Sequence, residues 1–408
     1  MKKIFTILIA VTLILIATVI GVKLVEKEKN EDKRIADIKN MDALSEEELR
    51  ETIQLSMEWI KNAQEENGHF KYEYNPFYDT YSENDNMVRQ AGTFYSMGEV
   101  LVRSEGDKYG LKVPMQKAIE YFKPVTFEGE EGSKTFKCVL KTENNCSIGA
   151  TSLAMIGMLD LIKKYPDLIP DYEFLIKGYL DFIVYMHNPT AGFRDGYYLK
   201  GAKSEKESPF GNGEAFLALV RYYQYKQTDE VKYLINDVGE YFAKYFTENK
   251  DDNFYLWGMA AIKDIYKTDL DKDYFDFVKE YTDWRMAKFI PQRNTYKNKC
   301  AYIEVIASAY STLQEEMSGE ELIPYLEDLN IWLKNTKKLQ ITENYLPEVT
   351  IKDDKGKVLE KNPEIKNMKY ANGGFLTSLM DPVQRIDFTQ HCASSYLQKL
   401  VDIDGKSL

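Results

Sequence analysis

The chain has 408 residues, of which 44% are hydrophobic, and a formal net charge of -12. This length and hydrophobic content are enough to bury a large core, which excludes an intrinsically disordered protein. The acidic balance excludes a nucleic-acid-binding protein, because phosphate binding needs a basic face, and the sequence has no stripe of Lys and Arg with interleaved aromatic residues.

The N-terminal segment predicts a membrane anchor. Lys2 and Lys3 precede an uncharged, mostly apolar run over residues 4–22, and roughly 17 to 25 such residues span a bilayer as a helix. The two lysines favour a cytoplasmic N-terminus, which places the following chain outside the cytoplasm. A cleaved signal peptide is the alternative, although the run ends without a good small-x-small cleavage site. Both interpretations export the chain, as a single-pass membrane protein or as a secreted one.

The sequence divides into three parts. Residues 1–23 form the predicted anchor or signal peptide. Residues 24–44 are rich in Lys, Glu and Asp and contain few large apolar side chains, which predicts a solvated stalk. Residues 45–408 have the patterning of a globular domain, which we expect to carry the activity.

Within residues 45–408, six segments rich in apolar and small residues each follow a more polar, amphipathic helix candidate. The apolar segments begin at Met87, Ile148, Gly213, Tyr255, Ala301 and Phe388, and the polar helices begin near Ser45, Pro114, Tyr172, Asp229, Asp273 and Gly319. Neither type of helix can bury its apolar surface alone. Twelve helices in six hairpins therefore predict an all-α fold, the (α/α)6 toroid, with the apolar helices inside the ring. A simple helical bundle is the alternative.

The predicted connections differ in length between the two rims of the ring. Links from an apolar inner helix to the next polar outer helix are short, as in "YKQTDE". Links from an outer helix into an inner helix are mostly long, and several begin with a Gly-aromatic turn, as at Gly68 and Phe70. Long structured loops in compact domains usually carry function. We therefore expect small β-hairpin loops and the functional site on the rim where the inner helices begin.

Four acidic residues lie near the starts of the predicted inner helices. They are Asp85, Glu214, Glu304 and Asp387, and a toroid brings them to one cavity. Glycoside hydrolysis needs two carboxyl groups, one protonated acid and one base or nucleophile. The third and sixth inner helices face each other, so Glu214 and Asp387 are the predicted catalytic pair. Asp85 and Glu304 are reserve candidates, and the alternative for all four is helix capping.

Polar and aromatic residues near the same helix starts are candidate substrate ligands. Arginine binds carboxylates bidentately, so arginines that face the substrate predict an acidic glycan, and the alternative is pairing with the nearby acids. Tyr and Trp offer an apolar face with a polar edge, which suits stacking on sugars. The candidates are Asn86, Arg89, Gln90, Asn212, Trp257, Arg385, Gln390, His391, Tyr72 and Tyr78, and Arg194 is a further arginine of these loops. His391 is also a candidate general base.

These features resemble the six-hairpin glycosidase-like superfamily. The resemblance covers residues 45–400 and rests on the six hairpins, the Gly-x-aromatic loops and segments such as "GNGEAFLALVRYY". It implies an enzyme that hydrolyses, cleaves or epimerises glycans at the rim where the inner helices begin. Members include glycosidases, uronyl hydrolases, lyases and uronate epimerases, so the resemblance implies a substrate class better than a reaction.

The four cysteines predict two disulfides, because an exported domain is oxidised. Cys138 and Cys146 lie in one hairpin-like loop. Cys300 and Cys392 lie at the starts of the fifth and sixth inner helices, which neighbour each other in the ring. The chain also resembles the lanthionine cyclases, toroids that bind zinc through two Cys and one His, and here the ligands would be Cys300, His391 and Cys392. Their order departs from that family's Cys-His, and oxidation favours the disulfide, so we expect no metal and no cofactor.

Taken together, the sequence predicts an exported carbohydrate-active enzyme, a glycoside hydrolase that acts on an acidic envelope or extracellular polysaccharide. Two rival functions stay open. A uronate C5-epimerase or polysaccharide lyase would use a Tyr or His to abstract the C5 proton beside a carboxylate neutralised by Arg. A non-catalytic glycan-binding or scaffold protein would use the acids only to cap helices.

Overall fold

The computed structural model describes residues 43–292, 299–352, 355–380 and 382–408. The predicted anchor over residues 4–22 and nearly all of the predicted stalk lie outside these ranges. Among the helices within them, none has the length and apolar character needed to cross a bilayer.

Twelve long helices of the described ranges alternate between an outer and an inner layer. The outer helices are α1 (Glu46–Ala63), α3 (Lys112–Phe122), α5 (Ile169–Met186), α7 (Asp229–Glu248), α9 (Phe275–Phe289) and α11 (Gly319–Lys337). The inner helices are α2 (Met87–Arg103), α4 (Ile148–Lys164), α6 (Pro209–Tyr225), α8 (Asp252–Ile265), α10 (Lys299–Leu313) and α13 (Ile386–Gln398). Short helical turns accompany them: α12 (Met368–Ala371), three 3-10 turns (Lys123–Val125, Pro166–Leu168 and Ile290–Gln292) and a π-helical turn (Lys399–Ile403).

The inner helices close into a ring. Each packs against the next one along the chain, and α13 packs against α2. The inner helices are apolar almost all round, and in α10 every residue from 300 to 313 is buried. The outer helices bury one stripe instead, as α7 does with Val231, Leu234, Val238 and Phe242 at helical spacing. The predicted (α/α)6 toroid is therefore confirmed.

Ten short strands of the described residues lie in the connections that lead into inner helices. They are β1 (Glu73–Asn75), β2 (Thr80–Tyr81), β3 (Thr126–Glu131), β4 (Lys134–Thr142), β5 (Asn145–Ser147), β6 (Gly196–Tyr198), β7 (Ala202–Lys203), β8 (Thr350–Lys352), β9 (Val358–Lys361) and β10 (Gln384–Arg385). They form antiparallel sheets in the orders β10-β1-β2, β3-β4-β5-β6-β7 and β8-β9. The predicted hairpin loops are present, and the first two sheets join loops from different hairpins.

The register of these sheets ties neighbouring loops together. Tyr74 on β1 pairs with Gln384 on β10, which joins the first long loop to the last one. Cys146 on β5 pairs with Tyr197 on β6, which joins the loops that precede α4 and α6. The strands therefore hold the starts of four inner helices at one rim.

Both predicted disulfides are present. Cys138–Cys146 joins β4 to β5 with its Cα atoms 5.8 Å apart, and Cys300–Cys392 joins α10 to α13 with its Cα atoms 4.6 Å apart. Both distances lie within the usual range of about 4.4 to 6.8 Å. Zinc binding requires the thiolate form of cysteine, so the set of Cys300, His391 and Cys392 is not a zinc site in this oxidised state.

Candidate active site

A cavity of about 250 Å³ lies where the inner helices begin. Five inner helices, α2, α4, α6, α8 and α13, contribute side chains to its wall, and Lys141 of β4 and Asp195 of the loop before β6 complete it. Pockets for drug-sized ligands usually measure about 300 to 1,000 Å³. This cavity therefore suits a smaller ligand, on the scale of one monosaccharide unit.

Side chains that cap the inner helices form part of the wall. Asn86 Oδ1 accepts hydrogen bonds from the backbone N–H groups of Val88 and Arg89 at the start of α2. Ser147 and Ser208 cap α4 and α6 through the same kind of bond. These residues satisfy N–H groups that a helix start leaves without a partner. At α2 and α6, capping is therefore not the role of the predicted acids Asp85 and Glu214.

Glu214 lines the cavity from α6 with only 3% of its surface exposed. Its carboxyl group makes no hydrogen bond to any residue that the structure describes. Burial raises the pKa of Glu214 to about 8, although the charge of Arg89 acts in the opposite direction. Glu214 is therefore protonated near neutral pH and can donate a hydrogen bond or a proton.

Gly149 makes the space that Glu214 occupies. A Cβ atom at Gly149 would lie 1.8 Å from Glu214 Oε2. Any larger residue at this position would displace the carboxyl group or separate α4 from α6. The second residue of α4 therefore sets the position of the acid on α6.

His391 lines the same cavity from α13. Its Nδ1 lies 2.6 Å from Glu304 Oε2 on α10, and the adjacent Cys392 is bonded to Cys300 on that helix. Burial raises the pKa of Glu304, and the contact with His391 partly opposes this rise. Because Glu304 holds Nδ1, the Nε2 atom of His391 is the one left for a ligand.

Asp387 is held by two arginines and does not line the cavity. Its carboxylate accepts hydrogen bonds from Arg385 Nε at 2.9 Å and Arg385 Nη2 at 2.7 Å, and Arg89 Nη1 lies 3.0 Å from its Oδ2. Asp387 is 1% exposed and is not among the residues that line the cavity. Asp387 therefore pairs with Arg89 and Arg385 outside the cavity wall, and its catalytic pairing with Glu214 stays a prediction. The alternative of internal pairing holds for both arginines.

Three further predicted ligands do line the cavity. Arg89 Nε is buried and has no hydrogen-bond partner among the described residues. The Trp257 ring has its centroid 6.1 Å from that of His391. Gln390 Oε1 accepts a hydrogen bond from the hydroxyl group of Thr93 at 3.0 Å. Together with Asn86, these side chains surround the space between Glu214 and His391.

Two predicted site residues, Asp85 and Gln90, bind the first long loop instead of lining the cavity. Asp85 lies 3.2 Å from His69 Nε2 and accepts a hydrogen bond from Gln90 Nε2 at 2.8 Å. Gln90 is fully buried, and its amide group also bonds the backbone N–H and C=O groups of Phe70. Both side chains therefore fix the first long loop and do not line the cavity.

The remaining candidates lie in the loops. Asn212 Oδ1 accepts a hydrogen bond from the backbone N–H of Phe193 at 2.7 Å, and Arg194 Nη1 donates to the carbonyl of Glu205 at 2.5 Å. Tyr72 lies under the guanidinium group of Arg385, which is 5.0 Å from its ring centroid. Tyr78 is 55% exposed. None of these residues is in the cavity wall.

The wall residues that sequence reasoning missed include Lys141, Ser147, Gly149, Asp195 and Ser208. The two serines hold the same N-cap position in their helices as Asn86 does in α2, so an alignment of the inner-helix starts would have found them. Lys141 and Asp195 belong to long loops, whose path the residue pattern does not reveal.

The opposite end of the inner ring is filled with paired charges. Arg221 forms ion pairs with Asp264, with Glu99 at 3.3 Å and with Asp160 at 3.4 Å. Asp402 is surrounded by Arg103, Lys263 and Lys267 at 3.2 to 3.5 Å. Burial raises the pKa of Asp160 to about 6, against the effect of Arg221. This end of the ring is closed by charges that neutralise one another.

The fold is similar to those of solved sugar-converting enzymes. A D-mannose isomerase matches with a TM-score of 0.59 and 11% identity, over 87% of this chain and 98% of that chain. The cellobiose 2-epimerase from Spirochaeta thermophila matches with a TM-score of 0.57 and 10% identity, over 86% and 96%. An inactive variant of the α-1,6-mannanase from Salegentibacter sp., in complex with α-1,6-mannotetrose, matches with a TM-score of 0.54 and 12% identity, over 87% and 99%.

No protein-family model and no curated protein matches the sequence. The TM-scores of 0.54 to 0.59, at identities of 10 to 12%, show a shared fold alone. The comparisons therefore show the (α/α)6 toroid fold that the sequence resemblance implied.

Proposed function

We propose that the protein is a carbohydrate-active enzyme that transfers a proton at a carbon atom of one sugar unit, as an isomerase or epimerase does. The observation that carries this proposal is that a protonated acid, Glu214, and a histidine, His391, line the same small cavity. The similarity in fold to a mannose isomerase and a cellobiose epimerase supports the choice of a sugar.

The two residues supply what such a reaction requires. A base removes a proton from a carbon next to a carbonyl group while an acid protonates the carbonyl oxygen. His391 Nε2 takes the carbon-bound proton, and Glu304 stabilises the resulting charge through Nδ1. Glu214 gives its proton to the oxygen, which produces an enediol without any change in oxidation state overall. Return of a proton to the neighbouring carbon gives an isomer, and return to the opposite face of the same carbon gives an epimer.

Glycoside hydrolysis is the second candidate function. The raised pKa of Glu214 suits the general acid of a glycosidase. A hydrolase also needs a second carboxyl group about 5 to 9.5 Å from the acid. Asp387 is held by two arginines, so Asp195 is the wall carboxylate that a hydrolase would have to use.

The mannanase comparison adds one observation about this chain. The inactive mannanase variant carries replacements at two consecutive aspartates. This chain has consecutive aspartates at 251–252 and at 353–354, and the second pair lies outside the described residues. Asp251 caps α8 and Asp252 pairs with Lys288 of α9 at 2.5 Å. Neither one lines the cavity.

We also propose that the enzyme is exported. The two disulfides support this location, because such bonds form and persist in oxidising compartments. Attachment to the membrane is a prediction from the apolar run over residues 4–22.

Product analysis in D2O tests the proposal. The purified full chain is incubated with monosaccharides and oligosaccharides, and the products are followed by NMR. We expect exchange of one sugar C–H for C–D together with formation of an isomer or epimer. New reducing ends that disappear in Asp195→Asn would establish the hydrolase instead, and unsaturated ends would establish a lyase. Binding without any chemical change would mean a glycan-binding protein.

A further inference from the structure

We infer that the cavity selects an anionic sugar unit, one that carries a carboxylate or a phosphate group. This inference rests on the proposed function, which makes the ligand a sugar unit, and it adds that this unit is negatively charged. Its basis is the set of hydrogen-bond donors and positively charged side chains that line the cavity.

The acceptor atoms of several wall side chains are already used by the protein. Asn86 Oδ1, Ser147 Oγ and Ser208 Oγ each accept hydrogen bonds from N–H groups of their own helices. Gln390 Oε1 accepts a hydrogen bond from Thr93. An amide retains its N–H groups and a hydroxyl retains its proton when the oxygen accepts a bond. These four side chains therefore offer donors to a ligand.

Three stronger donors complete the wall. Arg89 lines the cavity from α2, and its guanidinium group, which pairs with Asp387 through Nη1, is partly exposed. Lys141 forms no ion pair with any residue of those ranges, and its side chain lines the cavity. Glu214 is 3% exposed, has no partner in the described chain and is protonated near neutral pH. A buried, unpartnered acid facing an open cavity indicates that a ligand supplies its missing hydrogen bond.

The helix starts add positive potential to the same space. The cavity wall includes the first residues of α2, α4 and α6, and the N-terminus of a helix carries about half a positive charge. Three such ends directed at one cavity favour a negatively charged ligand.

The negative charges of the wall do not cancel this preference. Asp387 is shared by Arg89 and Arg385, so this group of three side chains carries one excess positive charge. Lys141 and Asp195 both line the cavity, and their opposite charges balance each other in the total charge of the wall. A neutral sugar brings hydroxyl groups that need acceptors as well as donors, whereas a carboxylate or phosphate brings only acceptors at pH 7. The wall therefore matches the anion better.

Calorimetric titration of the full chain at pH 7 tests this inference with three probes: glucose, glucuronate and glucose 6-phosphate. We expect at least one anion to bind about tenfold or more tightly than glucose, since one charge-assisted hydrogen bond contributes at least that much. Added salt should reduce the difference. The preferred anion identifies the group as carboxylate or phosphate.

Lys141→Gln should weaken binding of the preferred anion by about tenfold. Lys134→Gln is the matched control, because Lys134 lies on the same strand β4 outside the cavity wall. If both anions bind no more tightly than glucose, the inference is wrong. The assay in D2O then separates the two claims: turnover of a neutral sugar leaves the proposed function standing, and absence of turnover overturns it as well.

Discussion

The two ends of the inner ring place similar side chains in opposite situations. At the end where the helices begin, Glu214 is buried without a partner and faces a cavity. At the other end, Arg221 is surrounded by Glu99, Asp160 and Asp264, and each of these charges has a counter-charge. A buried charge with a full set of partners holds helices together, whereas a buried acid with none is available to a ligand. The same ring of helices therefore has one end whose buried charges are paired, which we call the structural end, and one end whose buried acid is unpaired.

Removal of Arg221 should have the largest effect on stability. Arg221→Met leaves three buried carboxylates without their shared cation, and breaking such a cluster costs about 3 to 5 kcal/mol of unfolding free energy. Arg89→Met at the other end should cost clearly less, because Arg89 is partly exposed and Arg385 still neutralises Asp387. Urea denaturation of both variants checks the difference, and equal losses would contradict the assignment of a structural end.

The disulfide beside His391 should matter more than the one in the loop. Cys300–Cys392 spans 92 residues, whereas Cys138–Cys146 spans 8. Longer closed loops restrict the unfolded chain more, and a typical disulfide contributes about 2 to 4 kcal/mol. The double Ser variant at 300 and 392 should therefore lose more stability, and its kcat should fall because the contact between His391 and Glu304 is less constrained. A larger loss in the double Ser variant at 138 and 146 would refute this.

The unpaired acid should make stability depend on pH. Between pH 6 and 7, Glu214 is protonated in the folded chain, where its pKa is about 8, and ionised in the unfolded chain, where its pKa is about 4.5. The folded chain binds the extra proton, so the unfolding free energy falls as pH rises, by about 1.4 kcal/mol per pH unit. Glu214→Gln removes this contribution.

Denaturation at pH 6 and pH 7 measures the effect as the difference between Glu214→Gln and the parent chain. This difference should shift by about 1.4 kcal/mol in favour of the variant. Asp160→Asn is the control, from the end of the ring where the buried charges are paired. Because the pKa of Asp160 is about 6, most of its effect on the pH dependence of the unfolding free energy falls below pH 6. Similar shifts for both variants would mean that Glu214 is not the unpaired acid.

The fold was predictable because the apolar pattern repeats six times. The segment "AYIEVIASAYSTL" has no polar face, and all of its residues are buried in α10. Helix starts were less predictable: α6 begins at Pro209, four residues before the predicted Gly213, because Ser208 caps the helix and proline suits its first turn.

The sequence could predict a residue of the cavity wall only where a position near the start of an inner helix is sufficient to place it there. Glu214 and His391 qualified on that criterion, and both line the cavity. Asp387 met the same criterion, but its role depends on Arg89, which reaches it from a helix nearly 300 residues earlier in the chain. Partners that meet across a closed ring leave no local signal in the sequence, so the difference between an acid that is free and one that is held emerges only from the packed structure.

The central claim is that Glu214 and His391 act as an acid and a base on one sugar unit. Its most direct test is the NMR rate of C–H to C–D exchange in the substrate for the parent chain, His391→Asn, Glu214→Gln and the control Asp85→Asn, which changes an acid outside the cavity wall. We predict that each of the first two variants loses about 10²- to 10⁴-fold in rate, that the control exchanges normally, and that the parent rate declines as pH rises through about 8. Exchange at the parent rate in both His391→Asn and Glu214→Gln would contradict the account.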